Sequence, residues 1–336
     1  MALTTNKIGN VPDKVTKALA LVNDKDLHSV DIIADCGLSS IYTGSNGGTK
    51  QYNDEDDVDV SELYETKNLS SATTLMTNYK SVINAFLNFA TQEKTVIFIG
   101  DILRHILVKG ADKKILSDKT KSFSKHIFWP MKHLTSTFNT SYGAIYNNWV
   151  KVYDDGIEKH AWVPISGIMS SVFCNTDTNS VPWAAPAGFD RGVITDITDI
   201  ALNTNQDQRD DLYNISVNSV ASFPNDGYVV FGQKTLQSKP SAFDRINVRR
   251  LFLYLEKLTD QTVKHFVFEP NTFTTRSKII NVLEPIFETA KTSIIQGIYD
   301  YRIVCDTTNN TPSVIDSNEL VVDIFIKPTR TAEFIL

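Results

Sequence analysis

S-A-F-D-R-I-N-V-R-R-L, residues Ser241–Leu251, opens the first of two long helices that dominate the last third of the chain. From about Asp244 to Thr259, Ile246, Leu253 and Leu258 supply much of an apolar stripe, so this helix has one face to bury. Arg249 and Arg250 flank that packed face. They can form a solvated surface or a carboxylate clamp, intersubunit or intramolecular; the clamp is favoured because a guanidinium suits fixed bidentate pairing. The second helix is expected from about Thr272 to Ile295, with Ile279, Val282 or Leu283, Ile286, Ala290 and Ile294 facing the core. Arg276, Lys278 and Lys291 lie off that stripe, where they serve solubility or meet an acidic partner surface. Pro285 should kink this helix or divide it. Strands at Tyr299–Cys305 and Leu320–Ile326 close the chain.

Working outward, helical and strand patterns alternate, which predicts a mixed α/β fold, α+β in its arrangement, with a mixed sheet flanked by helices. Val15, Leu19 and Val22 recur at helical spacing after Pro12, a suitable first-turn residue. Asp31–Asp35 reads as a short strand ending at Gly37. Ser70 or Ser71 can cap a helix running to about Gln92, with Leu75, Tyr79, Val82, Phe86 and Phe89 on one stripe. Thr95–Ile99 follows as a buried strand, and Lys125–Trp129 is a further strand candidate before Pro130. Ala144–Tyr153 and Ile157–Val163 flank Asp154-Asp155-Gly156, a hairpin signal in which glycine tolerates the positive φ of a tight turn. Val217–Phe223 and Gly227–Phe231 also read as strands. Residues 1–336 are expected to form one domain, with Thr43–Lys67 and its acidic run Asp54–Asp59 as a surface loop insertion.

Composition narrows the function. With 42% hydrophobic and 21% charged residues the 336-residue chain has the make-up of a globular protein. Its net charge of -6 argues against general nucleic-acid binding, which needs a basic surface. No apolar run is long enough for a bilayer span, and no charged-then-apolar signal segment opens the chain, so membrane insertion is not expected and synthesis in a cytoplasm is. Cys36, Cys174 and Cys305 are far apart and outside any ligand-like spacing; buried free thiols are the expected state.

Catalytic patterns find no foothold. Gly227–Thr235, G-Y-V-V-F-G-Q-K-T, places a strand-like interior where a phosphate loop needs small residues, so a strand ending in a turn is the better reading. No histidine pair has the i, i+4 spacing of a helical zinc motif. Ile165-Ser166-Gly167 lacks the second flanking glycine of a nucleophile elbow, and Pro164 before it looks like a helix start. The acidic Asp54–Asp59 run lacks the glycine and distal glutamate of a calcium loop. No catalytic, metal-binding or cofactor-binding residues are assigned, and no enzyme is expected.

Several blocks, in one order, resemble the contractile tail sheath proteins of myovirus-type bacteriophages. They are S-Y-G-A-I-Y-N-N-W-V-K-V-Y-D (Ser141–Asp154), W-V-P (Trp162–Pro164) and W-A-A-P-A-G-F-D-R-G (Trp183–Gly192). Q-R-D-D-L-Y (Gln208–Tyr213) and N-D-G-Y-V-V-F-G-Q-K-T-L (Asn225–Leu236) follow. F-E-P-N (Phe268–Asn271) and C-D-T-T-N-N-T-P-S-V-I-D (Cys305–Asp316) complete the set with the opening stretch. The resemblance covers Ser141 to the end most strongly and is traceable back to Val30.

That resemblance implies a structural subunit that polymerises with copies of itself in sixfold rings around a tail tube and contracts to drive the tube through the host envelope. It implies the tube, baseplate and tail terminator proteins as partners, a place in the virion, and assembly in the host cytoplasm. It also implies terminal arms that add strands to neighbouring subunits. Arg276, Lys278 and Lys291 become candidate tube contacts, and Arg249 and Arg250 a candidate clamp. Family members have a larger N-terminal region and a C-terminal arm, so the chain is expected to be part of a longer protein. A tailocin or secretion-system sheath is the alternative within the class; a hydrolase without a recognisable motif is the alternative outside it.

Overall fold

The computed structural model describes residues 11–22, 29–40, 42–43, 49–50, 70–109, 113–119, 121–156 and 158–333. They divide into two compact units, the first Met1–Thr178 with Ala185–Ile246, the second Asn179–Ala184 with Asn247–Leu336. The boundary at Ile246–Asn247 falls in the first turn of a helix, with no linker composition to mark it.

The first unit begins with helix α1 (Val11–Ala20), strand β1 (Ile32–Ala34) and a small hairpin, β2 (Tyr42–Thr43) with β3 (Thr49–Lys50). That hairpin falls at the start of the expected surface loop; the acidic run lies outside the described residues. Helix α2 (Ser70–Glu93) and strand β4 (Ile97–Asp101) come next, then β5 (Val108–Lys109) paired with β6 (Lys113–Lys114), and helix α3 (Trp129–Thr135). Strands β7 (Gly143–Tyr146), β8 (Trp149–Asp154) and β9 (Lys159–Pro164) precede α4 (Ile165–Asn179) and the short α5 (Gly188–Arg191). The unit ends with β10 (Val193–Ile194), β11 (Asp199–Ile200), α6 (Gln206–Asn214), β12 (Val217–Phe223) and β13 (Gly227–Phe231).

Six of these strands form a mixed sheet in the order β1-β4-β7-β12-β13-β10. The first four run parallel and the last two pairings are antiparallel. Parallel neighbours require a crossover, and α2 supplies it between β1 and β4. Its stripe behaves as the spacing predicts: Leu75, Tyr79, Val82 and Phe86 are buried, and Phe86 stacks on Phe98 of β4 with ring centroids 4.9 Å apart. A second, antiparallel sheet has the order β11-β8-β9.

Four local expectations need correcting. Lys125–Trp129 is helical, not a strand: Ser124–Phe128 is a π turn leading into α3, and the Trp129 N–H reaches back to Ser124 O. Pro130 has no N–H to give, and a widened turn accommodates that loss. The run Ala144–Tyr153 is two strands in different sheets, broken at Asn147-Asn148. Between β8 and β9 the positive φ falls on Glu158 (52°), whereas the Gly156 N–H donates to Asp154 Oδ1 at 2.8 Å, an Asx turn. Of the thiols, only Cys305 is buried; Cys36 and Cys174 are exposed.

The second unit holds α7 (Ile246–Val263, its first residue in the first unit), α8 (Phe273–Thr292), β14 (Ile298–Val304), α9 (Pro312–Asp316) and β15 (Asp323–Pro328). Its core joins Leu251 and Leu255 of α7 to Ile279, Leu283, Phe287 and Ala290 of α8, with Trp183 and Ile298. The stripe on α8 therefore takes Leu283 and leaves Val282 exposed, and Ile294, fully exposed, lies beyond the helix. Thr272 caps α8, its side chain accepting from Thr275 N at 3.3 Å. The helix continues through Pro285 and is not divided there. Pro285 lies on the exposed face, where a carbonyl deprived of its helical donor can meet water.

Candidate assembly surfaces

In the second unit, β14 and β15 pair antiparallel as a two-stranded sheet, so each has an edge unpaired by any strand among the described residues. Residues along β15 alternate between exposed and half-buried, the period-2 signature of a strand with one packed face. Beside it lies a groove of about 430 Å³ lined by Phe252, Leu255, Val263, Phe287, Leu320, Val322, Ile324 and Ile326, with Glu256, Thr259 and Asp260 as its polar residues. An open strand edge beside apolar side chains can accept an extended peptide, main chain to main chain, with alternate side chains entering the groove.

The connection between these strands is pinned by asparagines. Asn310, 1% exposed, donates from Nδ2 to Val321 O at 2.8 Å and accepts from Val321 N at 2.9 Å. Asn309 Nδ2 donates to Val304 O at 2.8 Å. Asn271 Nδ2 donates to Glu319 O at 2.8 Å and to Asn310 Oδ1 at 3.3 Å. Two sequence blocks, F-E-P-N and C-D-T-T-N-N-T-P, thus meet in space. Buried amides that satisfy backbone groups fix a loop tightly, because any substitution orphans those groups. Sequence reading identified the blocks but not this role, which depends on a contact between distant residues.

The basic residues of α8 separate by environment. Lys278 is exposed. Lys291 pairs with Asp300 at 3.0 Å, and its ammonium lies 5.6 Å from the Tyr301 ring centroid. The Asp300 hydrogen bond, then its charge, raises the Lys291 ammonium above its ordinary range. Arg276 is buried at 8% exposure, with Nη1 donating to Asn271 Oδ1 at 3.3 Å, so it braces the asparagine cluster and is the least available of the three to a partner. Arg249 and Arg250 are 7% and 6% exposed, which removes the solvated-face reading.

In the first unit, polar groups gather at the carboxyl ends of β1 and β4. Asp101 Oδ1 accepts from Ser166 N at 2.7 Å, and Oδ2 accepts from Ser166 Oγ at 2.6 Å and Gly37 N at 3.1 Å. Asp35 accepts from Ser39 through both its backbone N–H (3.0 Å) and its hydroxyl. Both carboxyls are fully buried. Burial, then the charge of Asp101, raises Asp35 well above the ordinary carboxylate range; burial lifts Asp101 to about 6 against the donors that hold it down. Ser166, whose elbow-like neighbourhood stood out in the sequence, is here the first turn of α4 and is held by Asp101. Lys234 of the phosphate-loop look-alike is held within the fold too, its N–H donating to Asn218 Oδ1 at 2.7 Å and Nζ to Tyr213 O at 2.9 Å.

Among the described residues no group of three or more His, Cys, Asp or Glu could hold a metal ion, and no helix is long and apolar enough to cross a membrane.

Residues 238–336 match the family described as the phage tail sheath C-terminal domain. More particularly, the chain is 38% identical to the tail sheath protein of Enterobacteria phage T4 over 254 residues, 73% of this chain and 38% of that protein. It is 40% identical to the tail sheath protein of Vibrio phage KVP40 over 197 residues, 59% of this chain and 29% of that one. The chain therefore spans well under half the length of these relatives. In fold it is similar to the PVC sheath complex of an extracellular contractile injection system in its contracted state (TM-score 0.62, 19% identity, 76% of this chain and 66% of that one). It is likewise similar to a chain of the anti-feeding prophage baseplate (TM-score 0.61, 20% identity, 78% and 64%).

Proposed function

We propose that the chain is the assembly-bearing part of a contractile phage tail sheath subunit, which polymerises with its own copies around the tail tube and contracts to drive that tube through the host envelope. The observation that carries this reading is the 38% identity to a phage tail sheath protein across 73% of the chain. The open β14–β15 edges and the groove beside β15 support it physically, as seats for an extended arm from a second copy. A hydrogen-bonded strand in an apolar groove keeps two subunits joined while the bodies on either side reorient. The sheath of a bacterial contractile injection system is the second reading, favoured by the fold similarity; the phage relatives at 38% and 40% identity weigh more than structural neighbours at 19% and 20%.

Tube, baseplate and terminator proteins are the partners this reading assigns, with the virion as the location and the host cytoplasm as the place of assembly. For the tube contact, Lys278 is the strongest candidate and Lys291 the second, since Lys291 already pairs with Asp300. Arg249 and Arg250, being buried, suit a clamp within the chain better than one between subunits. Reversing Lys278 and Lys291 to glutamate should weaken co-assembly with the tube by about tenfold and make it less salt-sensitive, because exposed charges act mainly on encounter. Thermal unfolding should stay unchanged for Lys278→Glu alone and fall slightly with Lys291→Glu, which loses the exposed pair with Asp300. Undiminished co-assembly would remove these lysines from the contact.

Negative-stain microscopy of the protein, alone and with tube protein, tests the function. Tubes or stacked rings are expected. Small discrete particles, even with tube protein added, would contradict self-assembly.

A further inference from the structure

The buried Asp35–Asp101 pair lies outside every surface considered above. Two carboxyls, each 0% exposed, lie close enough to act on each other's ionisation at the carboxyl ends of adjacent parallel strands. Together they fasten two pieces of chain. Asp101 grips the first turn of α4 through Ser166 N and Oγ, and the loop after β1 through Gly37 N. Asp35 grips that same loop through Ser39. Ser166 Oγ closes the circuit by accepting from Cys36 N at 2.9 Å. The loop is itself unusual in backbone, with Cys36 at φ 48° and Gly37 at φ 77°. A non-glycine residue in the left-handed region persists only where its surroundings impose it.

The other titratable groups around the pair do not neutralise it. From α2 the Tyr79 phenol donates to Asp101 O at 2.8 Å, and from the loop comes the Cys36 thiol, both neutral groups whose ionisation burial and the carboxyls oppose. After β4, Arg104 donates its backbone N–H to Ser40 Oγ at 3.0 Å, while its guanidinium carbon lies 5.9 Å from the Trp149 ring centroid. Two carboxylates sharing a buried site cannot both ionise without strong repulsion.

We propose that Asp35 and Asp101 form a protonation-dependent latch, in which one shared proton keeps the 35–40 loop and the first turn of α4 fastened to the ends of β1 and β4. Loss of that proton to solvent leaves two carboxylates face to face and releases the loop. The direction in pH follows from linkage. Both groups bind protons more tightly in the folded chain, so the stability they contribute is complete below the ordinary carboxylate range. It is lost as pH rises through the titrations of the pair, that of Asp101 at about 6 and that of Asp35 raised well above the ordinary carboxylate range.

Hydrogen exchange on the full chain from pH 4 to pH 9, corrected for intrinsic exchange chemistry, reads the latch directly. Protection of the Gly37, Ser39 and Ser166 amides should fall with rising pH, by up to about tenfold per pH unit where the pair titrates. Asp35→Asn supplies a permanently neutral donor of the same shape, so it should keep the fall that belongs to Asp101 and abolish the one that belongs to Asp35. Carboxyl carbon titration of the wild-type chain by NMR gives a second readout that needs no variant. It should show both aspartates titrating above the ordinary carboxylate range. Flat protection in the wild type, an undiminished fall in Asp35→Asn, or two ionised carboxyls at pH 5 would each overturn the proposal.

Discussion

Asn148→Leu is expected to lower the unfolding free energy by about 4 kcal/mol, although leucine is close to asparagine in size. Asn148 is fully buried; Nδ2 donates to Leu202 O at 2.7 Å and Val220 O at 2.9 Å, and Oδ1 accepts from Leu202 N at 2.9 Å. Leucine would leave two carbonyls and one N–H unpaired in a dry site, at about 1–3 kcal/mol for each orphaned group. The neighbouring Asn147 works alongside, its Oδ1 accepting from Val220 N at 2.9 Å. Together the two amides end β7 in one sheet and start β8 in another while substituting for the ladder that the chain leaves. Urea unfolding followed by circular dichroism should show a lower midpoint at an unchanged slope. A loss under about 1 kcal/mol would mean that the backbone groups find other partners.

Phe287→Ala should cost about 3–5 kcal/mol in the second unit. Phe287 is 1% exposed at the centre of that core, with its ring 5.5 Å from the Tyr301 ring, centroid to centroid. It also forms part of the groove wall, so removing it widens the groove and weakens the hairpin's support together. In denaturant the transition carrying the second unit should move and the other should stay. A uniform shift of a single transition would show the two units to unfold as one cooperative body.

These two sites mark where the sequence is legible and where it is not. Strands at Val217–Phe223 and Gly227–Phe231 are found at the positions their composition predicts, because each is a short β-rich run bounded by turn residues. Helix α8 starts where Thr272 offers a cap, for the same local reason. Asn147-Asn148 carries no such signal: the run around it alternates well enough to read as one strand, and only partners at 202 and 218–220 reveal the break. The π turn before α3 likewise depends on how the chain copes with Pro130 in context.

The candidate site divides in the same way. The order of the blocks from Ser141 onward, and their match to sheath proteins, can be read directly. Burial of Arg276 cannot, since its place off the apolar stripe of α8 suggested solvent, whereas the asparagine-rich loop folds over it. The Asp35–Asp101 pair is invisible for a further reason. Each aspartate merely ends a short strand, and their meeting depends on β1 and β4 lying side by side.

Reconstruction of the assembled polymer by electron cryomicroscopy tests the central claim most directly, because the claim concerns a contact between copies. The account predicts an extended segment from a neighbouring subunit, hydrogen-bonded along the free edge of the β14–β15 hairpin with apolar side chains in the groove bounded by Leu255, Val322 and Ile324. A polymer in which that edge and groove face solvent, with subunits joined elsewhere, would contradict it.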